Sequence, residues 1–142
     1  MAASALIDTG VILALIDRDD DWHTLSVEAF HRARLPLLTT EAVLTEVFHL
    51  TERNVHDVRG VWRLLRSGAI DLTPITNEEL PQIQTLMNDY ADRPMDFADA
   101  TLVHVAARER ISTILTVDHD DFDTYRLPGR KAFTVVPRRP RA

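Results

Sequence analysis

Residues 4–16 read SALIDTGVILALI, and this stretch decides the fold class. The apolar run Ser4–Asp8 predicts a short buried strand, and Thr9 can cap a helix that begins at Gly10. A strand that leads directly into a helix is typical of α/β proteins, in which helices cover a parallel sheet. We therefore expect the first strand to lie in the core, with Asp8 at its carboxyl end.

The same alternation of strands and helices continues along the chain. Further strands are predicted at 35–40, 70–75, 113–117 and 133–136; helices at 22–33, 41–53, 55–67, from 76 or 77 to about 91, and from near 96 to 110; and an acidic turn at 118–123. This order predicts an α/β fold with a parallel sheet covered on both faces. We expect one domain over residues 1–142, whose basic segment 126–142 includes the last strand.

The composition limits the class of protein. A chain of 142 residues with 45% apolar residues fits one globular domain. It has no Cys, which excludes disulfides, thiolate zinc sites and cysteine nucleophiles. The longest apolar runs are too short to span a bilayer, and no basic flank precedes the first of them. We expect a soluble cytoplasmic protein without a membrane partner.

The net charge of −6 conceals an uneven distribution of charge. Residues 1–125 hold 10 basic and 22 acidic residues, whereas segment 126–142 has no acidic residue. That segment contains six basic residues: Arg126, Arg130, Lys131, Arg138, Arg139 and Arg141. An acidic body with a basic end leaves cations available for phosphate groups, so the net charge does not exclude a nucleic-acid partner.

Two carboxylates fall at or just after the first two strands. Ligands of open α/β sheets bind beyond the carboxyl ends of the strands. Asp8 ends the first strand, where an unpaired charge in a dry core would be costly. Glu46 lies in the helix after the second strand, between Val43 and Leu50 at the border of its apolar stripe. Asp8 is the stronger candidate, and Glu46 taken alone is a boundary residue.

Further acidic residues open the later helix and follow the fourth strand. Asp96 and Asp99 are three residues apart at the positive end of the helix dipole. Capping accounts for Asp96, but Asp99 precedes a helix that is apolar almost all round, so its carboxylate is expected to face a partner or a metal. The register favours Asp118 as the ligand at the strand end. The sequence does not decide which carboxylate of this crowded stretch reaches a metal. The four candidates are Asp118, Asp120, Asp121 and Asp123.

These positions predict a site for a hard cation. Oxygen ligands without Cys, in a chain whose His residues lack zinc spacing, suit Mg²⁺ or Mn²⁺. Such an ion polarises a phosphodiester and generates hydroxide from water. The sequence therefore indicates metal-assisted hydrolysis of a phosphodiester. A catalytically silent binding module, in which the same acids cap helices and solvate turns, is the alternative.

Four motifs in this order resemble the PIN-domain ribonucleases, and most closely the VapC-type toxins of bacterial toxin–antitoxin pairs. They are ALIDT (5–9), EAVLTE (41–46), DFADA (96–100) and TVDHDDF (116–122), and the resemblance covers essentially the whole chain. It implies a PIN-like three-layer sandwich with a five-stranded parallel sheet. It also implies a Mg²⁺- or Mn²⁺-dependent endoribonuclease that acts on RNA, forms a homodimer and is neutralised by a VapB-type antitoxin.

The resemblance also assigns roles to residues of this chain. The catalytic acids would be Asp8, Glu46, Asp99 and Asp118, of which Asp8, Asp99 and Asp118 would hold the metal ion. Supporting roles fall to Thr9, Asp96 and Thr116. An RNA-processing PIN nuclease outside a toxin–antitoxin pair carries the same motifs and is a further alternative.

Overall fold

The computed structural model describes residues 3–139 and contains a five-stranded parallel sheet, as predicted. The strands in chain order are β1 (Ala5–Ile7), β2 (Leu37–Thr39), β3 (Ile70–Leu72), β4 (Thr113–Leu115), β5 (Arg126–Leu127), β6 (Lys131–Ala132) and β7 (Thr134–Val136). The sheet order is β3-β2-β1-β4-β7, and β5 and β6 form a separate antiparallel pair. Arg141 of the basic segment lies outside the described residues.

Seven α-helices connect the strands of the described part. They are α1 (Thr9–Ile16), α2 (His23–Arg32), α3 (Glu41–Thr51), α4 (Val55–Arg66), α5 (Leu80–Asp89), α6 (Phe97–Glu109) and α7 (His119–Thr124), with short 3₁₀ turns at Asn77–Glu79 and Pro128–Arg130. Within residues 3–139, none of these helices has the length and apolar character needed to cross a membrane.

Both faces of the sheet are covered around β1. Successive residues of a strand point to opposite faces, yet all three residues of β1 are buried. The central position of β1, between β2 and β4, explains this burial. The prediction of an α/β fold with helices on both sides of a parallel sheet is confirmed.

The strand order places the switch point of the sheet between β1 and β4. The chain builds outward from β1 through β2 to β3, then returns to the other side of β1 with β4. The register pairs Ile7 with Leu115, so Asp8 and Thr116 emerge side by side at the carboxyl edge. Asp8 N–H donates to the Leu115 carbonyl at 2.9 Å and extends this pairing. Such an edge is where α/β proteins bind ligands.

The acidic stretch after β4 is a helix, so its prediction as a turn is wrong. Asp118 is the N-cap residue of α7, whose first turn contains Asp120 and Asp121. Negative charge at a helix N-terminus is favourable because of the helix dipole. Phe122 is fully buried and fixes the short helix to the core. Phe122 was expected to pack the stretch onto the domain and does so, but the backbone that carries it is helical rather than a solvated turn.

The apolar stripe of α3 also differs from its prediction. Val43 and Val47 are buried as expected, but Leu50 is 58% exposed, and the next buried position is Thr51. The stripe thus follows an i, i+4, i+8 row, and the Thr51 hydroxyl donates to the Val47 carbonyl at 2.9 Å. Glu46 consequently lies outside this row, with most of its side chain exposed.

Candidate metal centre

Asp8 is held at the carboxyl end of β1 by hydrogen bonds to both carboxylate oxygens. Thr9 N–H donates to Oδ1 at 2.7 Å, and the Thr116 hydroxyl donates to Oδ2 at 3.0 Å. Asp8, and not Thr9 as predicted, is therefore the N-cap residue of α1. The residue is buried, and this burial raises its pKa to about 6 despite the two bonds.

Thr9 and Glu46 face each other beside Asp8. Partial burial and the charge of Asp96 raise the pKa of Glu46, while the nearby Thr9 hydroxyl opposes the rise. The Thr9 side chain is buried, and its Oγ1 has no hydrogen-bond partner within 3.5 Å among the described residues. A buried hydroxyl without a partner is costly, so a ligand or water is expected to satisfy it.

Asp99 is the most deeply perturbed acid of the site. Asp96 caps α6 by accepting the Asp99 N–H at 2.7 Å, which fixes the backbone at the first turn. The Asp99 side chain is buried, and the Tyr125 hydroxyl donates to its Oδ2 at 2.8 Å. Burial and the charges of Asp8, Asp96 and Asp118 raise the pKa of Asp99 to about 8.

Asp99, Asp118 and Asp121 form the tightest group of carboxylates. Each offers one oxygen, and these oxygens lie within 4.8 Å of one another. Loss of solvent at its carboxylate and the adjacent Asp121 raise the pKa of Asp118 to about 6. The Asp118 N–H donates to the Thr116 hydroxyl at 3.0 Å, so one threonine orients both Asp8 and Asp118.

The structure brings all seven predicted site residues to one edge of the sheet. The pKa values of Asp8, Glu46, Asp99 and Asp118 are raised in part by nearby acidic residues, and Asp96 acts on the first three of them. Thr9 and Thr116 contact members of the same set. Asp8 is not part of the tight group, in which Asp121 stands beside Asp99 and Asp118. Asp121 was one of the open candidates, and its i, i+3 spacing from Asp118 becomes informative once the segment is known to be helical.

Two further residues at the site have no signal in the sequence. Tyr125 holds Asp99 across 26 positions of the chain, and Arg93 Nε donates to Asp121 Oδ1 at 3.0 Å. Both contacts connect elements that the chain order separates, so neither spacing nor periodicity could predict them.

Close packing keeps the two sides of the site together. Gly10, in the first turn of α1, faces Val117, which lies between Thr116 and Asp118. A Cβ atom at position 10 would overlap the Val117 side chain. A glycine at this position therefore allows the first turn of α1 to approach the segment that carries Asp118.

The basic C-terminal segment is only partly available for phosphate groups. Arg126 Nη1 donates to the backbone carbonyls of residues 123, 124 and 125 and caps the end of α7. Arg138 Nη1 contacts both carboxylate oxygens of Asp123 at 3.1 Å. Arg130 and Lys131 are exposed on the small hairpin. Part of the local positive charge therefore has a structural role.

Comparison with known proteins agrees with this geometry. The PIN domain family matches residues 5–127. Ribonuclease VapC26 from Mycobacterium tuberculosis is 32% identical over 134 residues, which cover 93% of this chain and 99% of that protein.

Two crystal structures share the fold at lower identity. VapC20 from Mycobacterium tuberculosis, a toxin that cleaves the sarcin–ricin loop, has a TM-score of 0.72 and 21% identity over 82% of this chain and 92% of that one. VapBC2 from Rickettsia felis, bound to a DNA fragment from their promoter, has a TM-score of 0.65 and 12% identity over 94% of this chain and 98% of that one. The family match, the identity to VapC26 and the acidic edge of the sheet together show that the chain belongs to the PIN-domain family, among the VapC-type ribonuclease toxins.

Proposed function

We propose that this VapC-type ribonuclease cleaves RNA with Mg²⁺ or Mn²⁺ held by Asp99, Asp118 and Asp121 together with Asp8. The observation that carries the proposal is the convergence of these carboxylates at the switch point of the sheet. Burial and mutual repulsion raise the pKa of three of them, which a bound cation would reverse. The donor set is entirely oxygen, as Mg²⁺ and Mn²⁺ prefer.

The chain's own groups suit hydrolysis of a phosphodiester. A divalent ion bound here would polarise the phosphate and lower the pKa of a bound water. Thr116 orients the Asp8 carboxylate, and Tyr125 orients that of Asp99. Glu46, which is mostly exposed and has a raised pKa, would orient the attacking water and accept its proton. The Thr9 hydroxyl, buried without a partner, is available to bind that water or a phosphate oxygen.

The first test measures cleavage of a labelled single-stranded RNA by the purified protein. We expect cleavage with Mg²⁺ or Mn²⁺, none with excess chelator, and recovery when the metal is added back. Asp8→Asn should lower the rate by about 100-fold or more. The variant lacks one of the carboxylates that would hold the metal ion, and the bound ion supplies several kcal/mol of transition-state stabilisation. Cleavage at the parental rate in chelator, or by the Asp8→Asn variant, would contradict the proposal.

We further propose that the protein acts with a VapB-type antitoxin and forms a homodimer. Similarity to the VapC group supports the partner, and VapBC2 shows such a complex in another organism. A groove of about 700 Å³ adjoins the site, where Glu46 and Asp96 lie beside exposed Leu80 and Phe97. An apolar and basic peptide segment would suit such a groove, because it would cover the apolar side chains and pair with the acids.

The second test measures the mass of the protein by itself and after co-expression with proteins encoded next to it. We expect a homodimer in light scattering, and a larger complex when a short protein encoded next to it is co-expressed. That complex should cleave RNA at least about 10-fold more slowly than the free protein. A neighbouring protein that neither binds nor inhibits, or the absence of any short neighbour, would contradict the toxin–antitoxin assignment and leave the nuclease proposal intact.

A further inference from the structure

Arg93 is a cation placed directly against the acidic cluster. It lies in the connection between α5 and α6, where its backbone N–H donates to the Tyr90 carbonyl at 3.1 Å. Its Nε donates to Asp121 Oδ1 at 3.0 Å, and Asp121 is one of the three clustered acids. Of the ion pairs in residues 3–139, this is the one that joins an arginine to the cluster.

The outer edge of the Arg93 guanidinium remains open. The side chain is 45% exposed, and its two Nη groups make no hydrogen bond within the described part of the chain. A guanidinium has a planar fork of five N–H donors, so it can bind a carboxylate with one edge and a phosphate with the other. Arg126 and Arg138, by contrast, direct Nη1 at protein oxygens.

The ion pair between Arg93 and Asp121 contributes little to the stability of the fold. An exposed pair contributes about 0–1 kcal/mol to stability. The connection is already held by backbone bonds and by the Tyr90 hydroxyl, which accepts the Arg126 N–H at 2.8 Å. The Tyr90 ring also contacts that of Tyr125, with centroids 5.1 Å apart. Loss of Arg93 should therefore leave the fold in place.

The charge of the site supplies a reason for Arg93 to contact substrate. Six acids surround the site: Asp8, Glu46, Asp96, Asp99, Asp118 and Asp121. The hydrogen bond to Asp121 and the charges of Asp121 and Asp120 raise the pKa of Arg93, so it stays a cation. One divalent ion neutralises only part of this negative charge. An RNA phosphate must still approach it, and a correctly placed cation lowers that electrostatic barrier.

We propose that Arg93 is a substrate-binding residue, which holds Asp121 with Nε and binds a non-bridging phosphate oxygen of the RNA with its Nη groups. This inference rests on the proposed ribonuclease function and adds a residue that positions the strand beside the cluster. Its Nε contact keeps the guanidinium in one orientation, which reduces the entropy lost when the phosphate binds. The same contact also restrains Asp121 next to Asp118.

The test compares Arg93→Gln and Arg93→Lys in an Asp99→Asn background that binds a short fluorescent single-stranded RNA without cutting it. We expect Arg93→Gln to weaken binding by about 3- to 10-fold, and to reduce the slope of log K against log salt by about 0.7, the value for one phosphate contact on a single strand. Arg93→Lys should retain the slope, because it keeps the positive charge, but should lose part of the affinity, because an ammonium group cannot hold Asp121 and a phosphate in one planar fork. Arg59→Gln, which removes an equal charge from the exposed side of α4, should change neither.

Cleavage assays on Arg93→Gln in the protein that keeps Asp99 distinguish a failure of the Arg93 proposal from a failure of the proposed function. Arg93→Gln should raise KM more than it lowers kcat and should leave the melting temperature within about 2 °C. Unchanged affinity and slope, an equal effect of Arg59→Gln, or a clear loss of melting temperature would each overturn the role of Arg93. If the protein with Arg93 intact fails to cleave RNA with either metal, the proposed function itself fails, whatever Arg93 does.

Discussion

Replacing Asp99 by asparagine should lower metal-dependent RNA cleavage by about 1,000-fold or more while the protein stays folded. Asp99 is the buried member of the three clustered acids, and charges on three other carboxylates act on it. A metal ion contributes several kcal/mol to the transition state, and each 1.36 kcal/mol corresponds to a tenfold change in rate. Removing this charge should therefore have a larger effect than removing an exposed one.

The asparagine side chain keeps the local structure because its carbonyl oxygen can still accept the Tyr125 hydroxyl. The cap of α6 is also retained, since Asp96 binds the backbone N–H of residue 99 and not its side chain. The matched control is Asp120→Asn, an exposed acid in the first turn of α7 outside the tight cluster. Single-turnover rates should separate the two variants by at least about 100-fold, and equal rates would show that the clustered acids do not hold the catalytic ion.

Strand register accounts for the part of the site that sequence could predict. Asp8 and Asp118 each follow a short apolar strand, and parallel neighbours end at the same edge of a sheet. Asp99 was predicted from a different signal, a carboxylate at the start of a helix that is buried almost all round. These are local patterns, and burial of apolar residues is strong enough to enforce them in the folded chain.

The remainder of the site depends on contacts that no local pattern specifies. Tyr125 reaches Asp99 from the end of a short helix that had been predicted as a turn, and Arg93 reaches Asp121 from a connecting segment. Leu50 fits a helical stripe as well as Thr51 does, and the packing of α3 decides between them. Tertiary packing determines these contacts and the buried face of α3, so they cannot be predicted from the sequence alone.

Without metal, the protein should lose stability as the pH rises from about 5 to about 8. The pKa values of Asp8 and Asp118 are raised to about 6, and that of Asp99 to about 8, from an ordinary value of 3.8. Above pH 4 the unfolded chain releases these protons while the native protein retains them. The native state then binds more protons than the unfolded state, so the free energy of unfolding falls with pH until the raised pKa values are passed.

The expected size of this loss is several kcal/mol. A shift of one pKa unit corresponds to 1.36 kcal/mol, so the fully buried Asp8 alone accounts for about 3 kcal/mol, and the more exposed Asp118 for less. Glu79 acts in the opposite direction at lower pH. Its pKa is lowered by the Thr76 N–H, His104 and Arg108, so its contribution is lost as the pH falls below about 4.5. Stability of the metal-free protein should therefore be greater at about pH 4 to 5 than at pH 8.

Urea unfolding at pH 5, 6.5 and 8, in chelator and in Mn²⁺, measures this balance. A cation that binds only the native state stabilises it by about 2.7 kcal/mol at 100 times its Kd, so Mn²⁺ should restore much of the stability lost at pH 8. Asp99→Asn removes the acid with the most strongly raised pKa, so it should be more stable than the parent at pH 8 in chelator and respond less to Mn²⁺. Asp120→Asn should follow the parent in both conditions. A free energy of unfolding that stays level from pH 5 to pH 8 in chelator would mean that the carboxylates are not held together before metal binds, because acids in such proximity cannot ionise without cost.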